Sequence, residues 1–389
     1  MTLATKARPP GAYLDHAATT PMRREAVAAM LPHLEERFAN PSGLHAASRA
    51  ARRALDEARD GLSASLGCEP GEVVLTSGGT ESDNLAVLGV AGRRGGTVVV
   101  SAVEHRAVLR PAASVGARVV PVGADGRIDV AALAALLDPG VSLVSVMLVN
   151  SEVGVVQPVG DVVAAVRRLA PGALVHCDAV QGVLWCDVAA LTAGCDLVSV
   201  SAHKFGGPKG VGALVVRDRA AGALTPLLTG GGQERELRAG TENVAGAVAM
   251  AAAARLTVAE RRTTVARVGA LRDQFVDGVL AGAPGAAEPA PRALRVAGSA
   301  HLRFPGVDAE ELLFLLDAEG VAASTGSACA SGARDPSHVL LAMGWAPAEA
   351  RQAVRFTLGP TTTLEEVEYA TRAVLGALGR LGARNQLGD

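Results

Sequence analysis

Lysine is nearly absent from this chain. Of 37 basic residues only Lys6, Lys204 and Lys209 are lysines, and the other 34 are arginines. The five cysteines (Cys68, Cys177, Cys186, Cys195 and Cys329) are odd in number and lack the paired spacing of a metal site. That argues against a disulfide-stapled secreted scaffold and for a reducing compartment, with no bound metal. No apolar run is long enough to span a bilayer, since the Ala-rich stretch from Val244 to Ala254 stops at Arg255. The opening residues, MTLATKARPP, lack the apolar centre of a secretory signal. A formal net charge of -2 gives no electrostatic reason for a nucleic-acid partner. The expectation is a cytoplasmic protein that engages neither nucleic acid nor membrane.

What is present describes a globular enzyme-sized chain. Its 389 residues are 49% hydrophobic and 20% charged, enough for one large or two moderate domains with a substantial core. The segments GEVVLTSG, GTVVVSA, VSLVSVMLVN, ALVHCDA, CDLVSVSAHK and VGALVVR have the dense Val/Leu content of strands buried on both faces. Ala/Arg/Leu segments with helical spacing, such as DVAALAALL and DVVAAVRRLA, lie between them. This alternation predicts an α/β fold around a mainly parallel sheet. After about Met250 the texture changes to a long Ala/Arg helix, a Pro/Ala-rich stretch (APGAAEPAPRA), a helix DAEELLFLLDAEG, a Gly/Ser/Ala loop and a closing helix over Leu364–Leu381. The expected division is a large domain over residues 14–255 and a smaller α+β domain formed by 1–13 and 256–389.

The scarcity of lysine makes SAHKFGGPKG, which holds two of the three, the natural place to look for chemistry. Arginine replaces lysine as a charge but not as an amine, because only an ε-amine loses its proton readily and attacks a carbonyl. Lys204 ends a strand beside Ser201 and His203, whereas Lys209 sits in a GPKG turn, so Lys204 is the candidate for a Schiff base. Upstream, LTSGGTESDN reads as strand, Gly-rich turn and helix start. The free amides of such a start bind phosphate, although a Gly-rich cap with no ligand looks the same. LVHCDAVQG ends a strand at Asp178, either an ordinary helix cap or a partner for a protonated pyridine nitrogen. Ligands of open α/β sheets gather at the carboxyl ends of strands. A phosphate cradle, a pyridinium partner and a Schiff-base lysine together describe a pyridoxal 5'-phosphate site.

These motifs also carry a resemblance. TSGGTESDN, VEHRAV, VNSEVGVVQP, HCDAVQ, SAHKFGGPKGVGAL, GGGQERELRAGTEN and TGSACAS are similar to the cysteine desulfurases, within the class V aminotransferase group of fold-type-I pyridoxal phosphate enzymes. The similarity runs almost from end to end, from YLDHAATTP to VRFTLGPTTTLEEVE. It implies that Lys204 links to the cofactor, that Asp178 partners the ring nitrogen, and that Gln181 and Asn150 contact the side of the ring hydroxyl. It further implies that Gly79, Thr80, Ser201 and His203 bind the phosphate. His105 would stack on the ring and manage protons, Asn150 and Arg355 would bind the substrate, and Arg355 would clamp its carboxylate. Thr241, in RAGTEN, would reach the phosphate of the neighbouring subunit in a homodimer.

Cys68, Cys177, Cys186 and Cys195 fall in or beside apolar segments and read as small core residues. Cys329 instead sits in STGSACASGARDPS, which has no hydrophobic periodicity, and its GSAC setting resembles the family branch with a longer mobile cysteine loop. The expected reaction takes sulfur from L-cysteine, leaves L-alanine and a persulfide on Cys329, and passes that sulfur to an acceptor protein. The alternatives are a selenocysteine lyase, a class V aminotransferase, which needs no such cysteine, and a catalytically inactive scaffold of the same fold. His16 is given no catalytic role, and Pro360 stands where many relatives have arginine. The polar ending GARNQLGD, with little apolar surface for docking, suggests an acceptor other than an iron–sulfur scaffold, such as a thiolation enzyme or a biosynthetic sulfur carrier.

Overall fold

The computed structural model describes residues 11–326 and 336–387, with side chains as far as residue 382. Eleven strands occur in it: β1 (Ala12–Tyr13), β2 (Val73–Thr76), β3 (Thr97–Ser101), β4 (Arg118–Val120), β5 (Val141–Ser145), β6 (Leu174–Asp178), β7 (Leu197–Ser201), β8 (Gly212–Val216), β9 (Ser299–Arg303), β10 (Val321–Ala322) and β11 (Ala353–Thr357). Seven of them form one sheet in the order β2-β8-β7-β6-β5-β3-β4. Only β8 runs antiparallel to its neighbours, and the pairings from β7 to β4 are all parallel.

The apolar runs become central strands because each side of the sheet has helices to cover it. Along β2 the side chains of Val73 and Leu75 enter one core and Val74 the other. The same alternation places Val144, Val175 and Val198 on the first face and Leu143, Leu174 and Leu197 on the second. Leu143 and Leu197 are fully buried, which stabilises the fold by about 1.5–3 kcal/mol for each such side chain. All six strands expected from sequence are present, although VSLVSVMLVN contributes only its first five residues. The seventh, β4, was not expected: RVV is short, and two of its three residues are exposed at the sheet edge.

A second core lies around β9 and β11, which pair antiparallel, with β1 pairing parallel to β10. Ala12 and Leu14 pack there with Phe275 and Phe356, whose rings are 5.0 Å apart. The helix Val244–Gly282 joins the two cores. Its Ala247, Met250, Ala253 and Ala254 enter the sheet core, while Val268, Phe275, Val276 and Val279 enter the second. The expected boundary at 255/256 thus falls inside one continuous helix. The closing helix also runs further than expected, from Leu364 to Leu387, so residues 382–387 are helical rather than a trailing tail. It docks through Val367, Ala370, Val374, Ala377 and Leu381, a three-and-four spacing that lines one face. No helix among the described residues is long and apolar enough to cross a membrane.

Candidate active site

The carboxyl ends of β6 and β7 open into a cavity of about 400 Å³, within the range usual for cofactor and small-molecule sites. Ten residues named from sequence line it: Gly79, Thr80, His105, Asn150, Asp178, Gln181, Ser201, His203, Lys204 and Arg355. They come from positions 79 to 355. The parallel sheet gathers all but Arg355 because its strands deliver their last residues to the same edge, and Arg355 reaches the cavity from β11, outside that sheet.

Lys204 follows β7 directly, and its Nζ donates hydrogen bonds to the carbonyls of Ala17 (2.6 Å) and Ala18 (2.9 Å). Lys209, by contrast, is exposed in a turn. Asp178 ends β6, where its Oδ1 accepts from the backbone N–H of Val180 at 2.9 Å. No helix starts there, so Asp178 is not a helix cap. Burial raises its carboxyl above the usual range, an effect opposed by His105, the Val180 N–H and Lys204. His203 shares a hydrogen bond with Thr19 Oγ1 (3.2 Å). Burial, then Lys204 and Lys209, pushes it down to about 4, so its ring is neutral at pH 7.

Beside Ser201 the helix Gly79–Arg94 begins after Gly78, whose φ of 149° suits glycine, and no side chain caps it. A Cβ on Gly79 would fall 2.7 Å from Val180 Cγ2, so a larger residue here would have to displace that side chain, which also lines the cavity. His105 caps the helix Arg106–Ser114, with Nδ1 accepting from Ala107 N–H at 3.2 Å. Asn150 is locked by Nδ2 donating to Val103 O (3.0 Å) and Oδ1 accepting from the N–H groups of Glu152 and Val153. Gln181 donates to Ala17 O at 2.8 Å. Arg355, in the middle of β11, donates to Ser151 O (3.0 Å) and to Asp15 Oδ1 (2.8 Å).

Two expected residues are not in this cavity. Thr241 is exposed on the segment before the long helix and does not line it. Cys329 lies outside the described residues, although Gly326, three positions before it, is part of the cavity wall. The remaining cysteines are free. Burial pushes the Cys68 thiol up to about 12 and that of Cys186 to about 11.

Sequence reasoning missed a set of buried acids beside the cavity. Asp83, Glu104 and Glu152 all line it and are almost fully buried. Burial holds Asp83 and Glu104 well above the normal carboxyl range, and their negative neighbours add to it. Asp83 Oδ1 stands 3.7 Å from Nε2 of His176, which burial pushes down to about 3 and which is therefore neutral. Each acid lies inside a quoted motif (TESDN, VEHRAV, NSEVG), but one carboxyl after a strand looks like a solvated loop charge until the packing is seen.

Glu152 gives a pH prediction. Burial pushes its carboxyl up to about 7, against Ser337 and Arg355, which lower it. The folded protein therefore keeps a proton that the unfolded chain releases above the ordinary glutamate value of 4.5. The resulting stabilisation is complete below that pH and is lost as pH rises through about 7, on the order of 3 kcal/mol in all. Glu152→Gln should melt near the wild-type temperature at pH 5 and above it at pH 8. Parallel thermal-melting curves at both pH values check this. An equal difference at the two pH values would show that Glu152 does not carry the proton.

With the geometry in place, comparison with known proteins is informative. The model of the aminotransferase class-V family matches residues 12–370. An IscS-like cysteine desulfurase of Mycobacterium tuberculosis is 43% identical over 388 residues, covering 95% of this chain and 96% of that protein. The cysteine desulfurase IscS of Dictyoglomus turgidum is 40% identical, with 92% of each chain covered. Among solved structures, a NifS-like protein superposes with a TM-score of 0.88 at 33% identity, covering 95% of this chain and 99% of its own. SspA in complex with cysteine superposes with a TM-score of 0.78 at 30% identity, covering 90% and 100%.

The chain belongs to the aminotransferase class-V family, whose enzymes have the fold-type-I architecture and depend on pyridoxal phosphate. Within that class it is a cysteine desulfurase, an enzyme that takes sulfur from cysteine for delivery to an acceptor.

Proposed function

We propose that the cavity binds pyridoxal 5'-phosphate and L-cysteine, and that sulfur leaves it as a persulfide on Cys329. The observation that carries this reading is the meeting of Lys204, Asp178 and Arg355 in one cavity. The donor set fits the cofactor. Gly79, Thr80, Ser201 and His203 offer amide, hydroxyl and neutral imidazole groups suited to a phosphate, near an uncapped helix start. A buried Asp178 suits a ring nitrogen that carries a proton, since a cation beside it would offset the cost of burying its charge. Asn150 and Gln181 would complete the polar contacts, and His105, which lines the same cavity, would hold the ring.

When bound, the cofactor supplies an electron sink that lets the substrate's Cα–H and C–S bonds break. The chain's own residues do the rest. Arg355 is held from one side by Asp15 and Ser151, and its guanidinium fixes the substrate carboxylate. Lys204 carries the Cα proton, in the role of a positioned base and acid. His105 manages the protons of the thiols. Cys329, as thiolate, attacks the substrate sulfur; the C–S bond breaks, and a returning proton completes L-alanine.

The acceptor protein then takes the persulfide sulfur. Cysteine is also the ligand in the SspA complex, which has a related fold. We place the enzyme in the cytoplasm and retain the division into residues 14–255 and a smaller unit. The direct test is incubation with L-cysteine under reducing conditions. Alanine and released sulfide are expected in equal amounts over many turnovers, and a single turnover without reductant should leave one protein persulfide per alanine formed. Alanine with free sulfide and no persulfide in that single turnover would leave a lyase-type reaction instead.

Thr241 enters this reading through a second subunit. A hydroxyl on an exposed segment that misses its own cavity suits the phosphate of a partner's cavity. Thr241→Asp alone should be inactive, because a carboxylate repels the phosphate. Mixed in equal amounts with an inactive Lys204 variant, it should recover about a quarter of wild-type activity, since half the dimers would hold one intact site. No recovery after demonstrated subunit exchange, or a fully active monomer in sedimentation, would refute the shared site.

A further inference from the structure

Glu152 has no part in the chemistry just assigned, yet it occupies a distinctive position. It is 3% exposed and forms part of the cavity wall. Its backbone is fixed, because its N–H donates to Asn150 Oδ1 at 2.9 Å and Asn150 is itself tied to Val103. Its side chain reaches the chain on both sides of the Cys329 segment. Ser337 Oγ donates to Glu152 Oε2 at 2.7 Å, and the same hydroxyl accepts from Leu340 N–H to cap the helix His338–Ala342. On the other side, the backbone of Gly326 lies against the carboxyl. A Cβ there would fall 1.9 Å from Glu152 Cγ and 2.0 Å from Cδ, closer than any side chain tolerates.

The groups behind the carboxyl offset its burial only in part, through Arg355. His301 Nε2 of β9 stands 3.9 Å from Oε1, and burial, Arg355 and Arg295 push that histidine down to about 3, so it is uncharged. Arg355 is engaged by Asp15 and Ser151. Glu152 Oε1 has no hydrogen-bond partner among the described residues. A neutral carboxyl wedged between Gly326 and Ser337 is consistent with all of these contacts.

We propose that Glu152 is a positioning residue that fixes both borders of the Cys329 segment on the cavity wall and so sets where the thiol meets the substrate sulfur. The inference rests on Cys329 being the sulfur-accepting thiol. Cys329 follows Gly326 by three residues, a span of at most about 10 Å, so the position of that border limits where the thiol can reach. Misplacement by about 1 Å can cost on the order of a hundredfold in rate.

The test is single-turnover persulfide formation on Cys329, read by mass spectrometry in the holoenzyme. Glu152→Ala and Gly326→Ala should slow it by about tenfold or more, with the KM for cysteine and the cofactor's spectral response to cysteine little changed. Glu152→Gln keeps the size and an acceptor for Ser337, and should stay within about threefold of wild type. Ser337→Ala should slow the step severalfold and add nothing to Glu152→Ala in the double variant, as expected of partners in one contact. If Glu152→Ala does not fold, Ser337→Ala, which removes one oxygen, carries the test. Persulfide formation at the wild-type rate in these variants, while Cys329→Ser abolishes it, would overturn the positioning role and leave the reading of Cys329 intact. A spectral response lost in parallel with persulfide formation would also overturn it, in favour of a general packing role. Persulfide forming normally in Cys329→Ser would instead remove the premise.

Discussion

Lys204→Arg is expected to give a folded protein whose turnover of cysteine falls at least about a thousandfold, a drop within the range that a positioned acid or base contributes. The fold should survive because the side chain's hydrogen bonds are within reach of a guanidinium. Lys204 Nζ donates to the carbonyls of Ala17 and Ala18, and arginine supplies the same charge with more donors. The chemistry should not survive, because a guanidinium stays protonated and forms no imine with an aldehyde. Two measurements separate these effects. The melting temperature should move little, and borohydride treatment should no longer attach the cofactor covalently. Attachment that persists at Lys209 would overturn the assignment. That result is not expected, since Lys209 lies exposed in a turn and away from the cavity wall.

Lys204 also shows how much of the site could be read in advance. A lysine kept in a chain with 34 arginines raises the question of amine chemistry, and its setting at a strand end beside Ser201 and His203 singles out Lys204 over Lys209. The central strands were equally legible, because a segment such as VSLVS, buried on both faces, has no polar side to disguise it. Less legible were features defined by packing between distant segments. Strand β4 is three residues at an exposed edge, and two valines are too short an apolar run to stand out. The helix Val244–Gly282 crosses the expected domain boundary because Ala-rich turns serve one core and Val/Phe turns the other, with no breaker between them. Asp83, Glu104 and Glu152 were missed for a related reason. Their unusual property is burial with too few partners, and burial depends on elements from opposite ends of the chain. Asp15, which holds Arg355, is 340 positions away from it in sequence. Charge pairing over that separation leaves no local pattern.

Cys329→Ser is expected to separate the two halves of the reaction. The variant should bind pyridoxal phosphate and change its absorption when cysteine is added, since Lys204, Asp178 and Arg355 line the cavity without help from that thiol. It should form no persulfide and release alanine at least about a hundredfold more slowly, because the C–S bond then lacks its nucleophile. The other cysteines make poor substitutes. None of Cys68, Cys177, Cys186 and Cys195 lines the cavity. Cys177 and Cys195 are buried in the sheet core, and burial raises the thiols of Cys68 and Cys186 to about 12 and 11. At neutral pH those two are protonated, and a thiol attacks as its thiolate. Brief alkylation of the native wild-type protein at pH 7.5 should therefore modify Cys329 first, and the serine variant should be left almost unlabelled. A serine variant that still carries normal persulfide, on Cys186 or any other thiol, would show that sulfur leaves the cavity by a route that does not use Cys329.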